Sequence, residues 1–139
     1  MTEKVFVDSN ILVYAHDADS GNKQRIAAKA VAQILEARSG VLSIQVLQEF
    51  YSTVTRKLRN AIERDVAREL LRGYSFWTVQ LLTAEDVVTA SLLEQRHQLS
   101  FWDALIVQAA VLAGAKKLLS EDLQHGQSID GVMVENPFI

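Results

Sequence analysis

Four acidic residues of this 139-residue chain stand in settings suited to metal chemistry. Asp8 closes the apolar run Val5 to Val7 in "KVFVDSNILVY". Asp122 stands in the same relation to the short run Lys117 to Leu119 in "KLLSEDLQHG". Asp103, in "LSFWDALIVQAA", is the only acidic or basic residue between Arg96 and Lys116, histidine aside, and it opens the most apolar stretch of the chain. Glu49, in "SIQVLQEFYSTVTRK", begins a helical pattern just after a short apolar segment. Carboxylates gathered in one place repel one another and rise in pKa unless a cation sits between them. Mg²⁺ and Mn²⁺ take hard oxygen ligands and keep several waters. Such a set can generate a hydroxide and clamp a phosphate for in-line attack.

Each acid also has a plainer explanation. Asp8 fits an N-cap of a helix starting at Ser9 or Asn10. Asp103 fits a capping box with Ser100 as the cap, a role that does not prevent it from facing a site. Glu49 lies off the centre of the Val46–Phe50–Val54 stripe, so taken alone it reads as a solvated surface residue. Asp122 in a polar loop is unremarkable by itself. On residues alone the constellation stays open.

The elements that must position these acids follow from periodicity. Val5 to Val7 reads as a strand buried on both faces. Helical spacing marks Lys23 to Arg38, with Gly40 as its stop, then Gln45 to Leu58, Ile62 to Tyr74, and Ala84 to His97 with Val87, Val88, Ser91 and Leu92 inward. Phe101 to Ala113 is apolar nearly all round and reads as a buried helix ended by Gly114. Val41 to Ile44, Trp77 to Leu81, Lys117 to Leu119 and Val132 to Val134 read as further strands. Strands alternating with helices predict an α/β fold with a central parallel sheet covered on both faces. Ligands of such sheets gather beyond the carboxyl ends of the strands, where Asp8 and Asp122 stand.

Composition narrows the class. A hydrophobic share of 49% with 22% charged residues predicts a globular chain, and its length predicts one domain over residues 1–139. No run approaches the roughly eighteen apolar residues of a membrane span. Glu3 and Asp8 interrupt the only apolar run at the N-terminus, so a signal peptide is not expected and the cytoplasm is the default location. Without cysteine there is neither a disulfide nor a thiolate metal site. A net charge of −3 offers nucleic acid no global attraction, so any contact must use local patches or bound cations.

At the four acids the chain resembles PIN-domain proteins of the VapC toxin kind. "FVDSNILVY" resembles the family's opening motif of an acid, then Ser or Thr, then Asn. "SIQVLQEFYSTVTRK" resembles the second motif, with its glutamate on Glu49. "LSFWDALIVQAA" resembles the third, with its aspartate on Asp103. "LLSEDLQHG" resembles the fourth, with Ser120 and Asp122 in the small-hydroxyl and acidic positions, and the closing "VENPF" is also similar. The resemblance spans nearly the whole chain and reverses the isolated reading of Glu49. It implies a three-layer α/β/α fold and a pocket where Asp8, Glu49, Asp103 and Asp122 bind Mg²⁺ or Mn²⁺ and catalyse RNA hydrolysis. Asn10 and Ser120 would orient water or carboxylates. A homodimer and a cognate antitoxin that blocks the cleft are also implied.

Remaining residues weigh less. Arg56, Lys57 and Arg59 form a dense basic cluster suited to RNA phosphates. Arg64, Arg68 and Arg72 alternate with acids and read as a solvated face. Phe101 and Trp102 read as core or dimer contact, and Tyr51 and Tyr74 as packing. His16, His97 and His125 share no ligand spacing. A haloacid-dehalogenase-type phosphatase would need a second aspartate where Asn10 stands. The rival of another class is a non-catalytic PIN-like regulatory or interaction module.

Overall fold

The computed structural model describes residues 3–139. Its sheet is built from β1 (Val5–Val7), β2 (Gly40–Ser43), β3 (Thr78–Gln80), β4 (Lys117–Leu119), β5 (Ser128–Ile129) and β6 (Val132–Glu135) in the order β3-β2-β1-β4-β6-β5. All pairings are parallel except β5 with β6. Helices α1 (Ser9–His16), α2 (Asn22–Ala37), α3 (Ile44–Arg56), α4 (Arg64–Tyr74), α5 (Ala84–His97) and α6 (Phe101–Leu112) flank it, giving the expected three-layer α/β/α arrangement. No described helix is long and apolar enough to cross a membrane.

The strand order carries the functional geometry. The chain steps outward from β1 to β2 to β3, then returns to lay β4 on the other side of β1. The order therefore reverses between β1 and β4, the position where parallel sheets open a crevice at their carboxyl ends. Residues Phe6, Val7, Leu118 and Leu119 are buried, so the two central strands are fixed by apolar contact on both faces. α6 runs buried from Ala104 to Ala110, as its uniform hydrophobicity predicts.

Several expectations are corrected. β2 ends at Ser43 because that side chain caps α3, accepting from Val46 N at 3.4 Å, so Ile44 is helical. The hairpin strand β5 is an addition, two residues long and paired antiparallel to β6. Gly40 is not the stop of α2. Arg38, with φ 54°, makes that C-cap. Gly40 instead opens β2 beneath Trp77, where a Cβ would fall 2.2 Å from the indole Cε3. The inward face of α5 also differs. Val87, Val88 and Leu92 are exposed, the last two by 52% and 53%, while Ala90 and Leu93 are buried. Buried Gln108 of α6 donates to Asp86 Oδ1 at 3.1 Å and small Ala90 faces the same way, which together fix the rotation. On α4, Ala67 is buried but Val66 is exposed.

Candidate active site

Val7 lies opposite Leu119 in the β1–β4 ladder, so Asp8 and Ser120 leave the sheet side by side. The backbone N–H of Asp8 donates to Leu119 O at 2.9 Å and holds them in step. Ser120 Oγ donates to Asp8 Oδ2 at 2.8 Å and accepts from Asp122 N at 3.1 Å. Asn10 spans the gap. Its Nδ2 donates to Asp122 Oδ2 at 3.0 Å and to Asp8 Oδ2 at 3.4 Å, while its Oδ1 accepts from Glu121 N at 3.2 Å. Asp8 Oδ1 accepts from Ser9 N at 2.7 Å, which makes Asp8 the cap of α1 as well. Capping and site-facing are thus two uses of one side chain.

Helices supply the other wall. Glu49 is half-buried on α3, with Oε1 accepting from Ser9 Oγ at 3.0 Å and Oε2 from Gln45 Nε2 at 3.3 Å. Gln45 Nε2 also donates to Trp102 O at 3.1 Å, which ties α3 to the first turn of α6. Asp103 projects from that turn, and its N–H donates to Ser100 Oγ at 3.1 Å. Asp8, Glu49, Asp103 and Asp122 all line one cleft of about 510 Å³, with Asp17, Lys57 and Glu121 at the same walls. Ser9, Gln45 and Glu121 were not singled out in the sequence. Ser9 lies inside the opening motif and Glu121 inside the fourth, but their partners are far away in the chain.

The electrostatics differ around the cleft. Asp8 is only 3% exposed, and its carboxyl is pushed up to about 6. Burial is the chief cause. Hydrogen bonds from Ser120 and Ser9 oppose it, and the charges of Glu49 and Asp122 add to it. Asp103 is also raised, first by burial and further by Asp122 and Glu49, against a hydrogen bond to Ser100. Among the described residues, ion pairs join Lys23 to Glu121, Arg72 to Glu69 and Lys117 to Glu135, and none involves the four cleft acids. No three His, Asp or Glu side chains among the described residues converge closely enough to form a metal cage. Neutral donors instead occupy both oxygens of Asp8 and both of Glu49. The donor set is all oxygen, negative and without a cationic partner, which suits a hard divalent ion.

The basic cluster divides. Lys57 lines the cleft, whereas Arg56 and Arg59 are exposed and outside its lining. Trp102 is 64% exposed and stacks edge-on with Phe101 at 5.5 Å. Tyr74 is packing, as expected, and shares a 2.7 Å hydrogen bond with His16 Nε2. His125 Nδ1 accepts from Asn136 N, and the three histidines do not meet.

The family description PIN domain matches residues 5–127, most of the chain and all four acids. The chain belongs to the PIN domain family. Solved structures share its fold. A chain of a toxin–antitoxin complex from Klebsiella pneumoniae superposes with a TM-score of 0.66 at 23% identity, covering 96% of this chain and 98% of that one. VapC20 of Mycobacterium tuberculosis, described as a sarcin–ricin-loop-cleaving toxin, gives 0.64 at 19% identity over 83% of this chain and 87% of that one. A DNA-bound VapBC from Salmonella typhimurium gives 0.66 at 15% identity over 98% and 99%. No curated protein matches significantly by sequence. The PIN match covers the four motifs quoted above.

Proposed function

We propose that this PIN-domain protein is a metal-dependent endoribonuclease, the toxin of a toxin–antitoxin pair. The observation that carries the proposal is that Asp8, Glu49, Asp103 and Asp122 line one cleft at the strand-order reversal, with no cationic side chain among the described residues paired to any of them. The toxin–antitoxin relatives of the same fold support the biological setting.

Asp8, Glu49, Asp103 and Asp122 would hold Mg²⁺ or Mn²⁺. A bound cation of this kind supplies an acidified water and neutralises charge on the scissile phosphodiester. The chain's own residues do the rest. Ser120 and Asn10 fix the Asp8 and Asp122 carboxylates, and Ser9 and Gln45 fix Glu49, so the oxygens are aimed before RNA arrives. Lys57 offers a cation to an RNA phosphate at the cleft wall, with Arg56 and Arg59 available to phosphates further along. A cognate antitoxin would act by covering this cleft. A second copy of the chain would cover the outward apolar residues of α5 as a homodimer. Acting on RNA beside an antitoxin, the protein would work in the cytoplasm.

The rival is a non-catalytic PIN-like module, favoured by the absence of a converged cage among the described residues. Incubation of the purified protein with total RNA separates the two. The proposal expects discrete fragments in Mn²⁺ and none in EDTA. Intact RNA under both conditions supports the module, and cleavage that persists in EDTA removes the metal from the mechanism.

A further inference from the structure

We infer that Lys23 is a positioning residue for the fourth acidic motif, acting through Glu121 and seated by the C-terminal Phe138. This rests on the ribonuclease reading of the cleft. The loop from Ser120 to Asp122 carries two of the groups around Asp8, and Glu121 is its middle residue. Glu121 is held at both ends. Its backbone N–H donates to Asn10 Oδ1, and its Oε1 accepts from Lys23 Nζ at 2.6 Å. Asn10 uses its other end to hold Asp122 and Asp8, so a shift of Glu121 passes directly to two cleft acids.

Lys23 itself is seated by aromatic rings. Its Nζ lies 4.9 Å from the centroid of Tyr14 and 5.3 Å from that of Phe138, and the two rings meet edge-on at 5.1 Å. Both faces attract a cation. Phe138 is delivered there by the tail after β6, where Asn136 Oδ1 accepts from Phe138 N and His125 Nδ1 accepts from Asn136 N. The strand that leads into the tail also joins the loop, because Ser120 N donates to Glu135 O, the last residue of β6, at 3.1 Å. The closing "VENPF" segment therefore has a physical use. It braces the lysine that braces the loop.

Lys23 does not line the cleft, so it acts through Glu121 and not on RNA. The test compares Lys23→Met, Glu121→Ala and the double variant with the wild-type protein. Cleavage in Mn²⁺ should fall about tenfold in kcat for each single variant with little change in KM, and the double variant should be no worse than either. Lys23→Arg should restore most of the loss. A readout independent of activity uses the metal-free protein, where Lys23→Met should shift the side-chain amide resonances of Asn10. A rise in KM with kcat intact, or additive losses, would overturn the inference in favour of direct RNA contact. Unmoved Asn10 resonances would overturn it even if the wild-type protein cuts no RNA, an outcome that separately defeats the ribonuclease reading.

Discussion

The two walls of the cleft are built differently. On the sheet side Asp8 is buried, accepts hydrogen bonds from Ser9 N and Ser120 Oγ, and is raised to about 6. On the helix side Glu49 and Asp103 are half-buried and stand on α3 and α6, which Gln45 ties together. The sheet wall carries a buried carboxyl with no ion-pair partner among the described residues. The helix wall is only half-buried. Burying a carboxylate without a cationic partner costs stability, so Asp8 is the residue that gains most from a bound cation.

The largest expected effect follows from that difference. Asp8→Asn keeps the shape but gives a hard cation a poor ligand, so cleavage in Mn²⁺ should drop at least about a hundredfold, read by single-turnover assays. A pure helix cap would lose nothing, since Asn caps nearly as well. Without metal the variant should be as stable as wild type or slightly more so, because one member of a repelling set is gone. Asp103→Asn on the helix wall should weaken Mn²⁺ binding in calorimetry, and unchanged binding would remove Asp103 from the site. Ser120→Ala comes next. It strips one donor from Asp8 and the acceptor of Asp122 N, and should cost about tenfold in activity.

A pH effect also separates the walls. Folded Asp8 holds its proton more tightly than the unfolded chain does, so between pH about 4 and 6 the folded state carries more protons. Raising pH through that window removes them and lowers stability, by about 3 kcal/mol for the full shift. Urea melts in EDTA should show this decline, and Asp8→Asn should flatten it. The smallest effect is assembly. Light scattering should give a dimer of the 15.5 kDa chain, and Leu92→Glu on the outward face of α5 should yield monomer with cleavage chemistry intact. A wild-type monomer at micromolar concentration would refute the dimer.

Much of this was legible in the sequence because central parallel strands are apolar on both faces and announce their ends. Val5–Val7 and Lys117–Leu119 were bounded correctly, and the acids after them fell at the reversal point. The orientation of α5 was not legible. Val87, Val88 and Leu92 form a credible inward stripe, and periodicity cannot tell a core from an outward apolar face. The observed face buries Ala90 and Leu93 and lets Gln108 of α6 reach Asp86, contacts between residues on different helices. The pattern of α3 alone makes Glu49 a surface residue for a related reason. Its setting depends on Ser9 Oγ, 40 residues away, and the helical wheel of α3 contains no trace of it. The Lys23–Glu121 pair spans 98 residues and is equally invisible to local reasoning. Gly40 passes for a helix stop in the sequence because only the folded chain brings Trp77 over it.

The most direct test of the central claim is calorimetric titration of Mn²⁺ into the wild-type protein and its Asp8→Asn variant at pH 7. The account predicts saturable binding to the wild type and its loss in the variant, with both proteins folded by circular dichroism. Equal binding by the two, or none by the wild type, would contradict a metal centre built on Asp8.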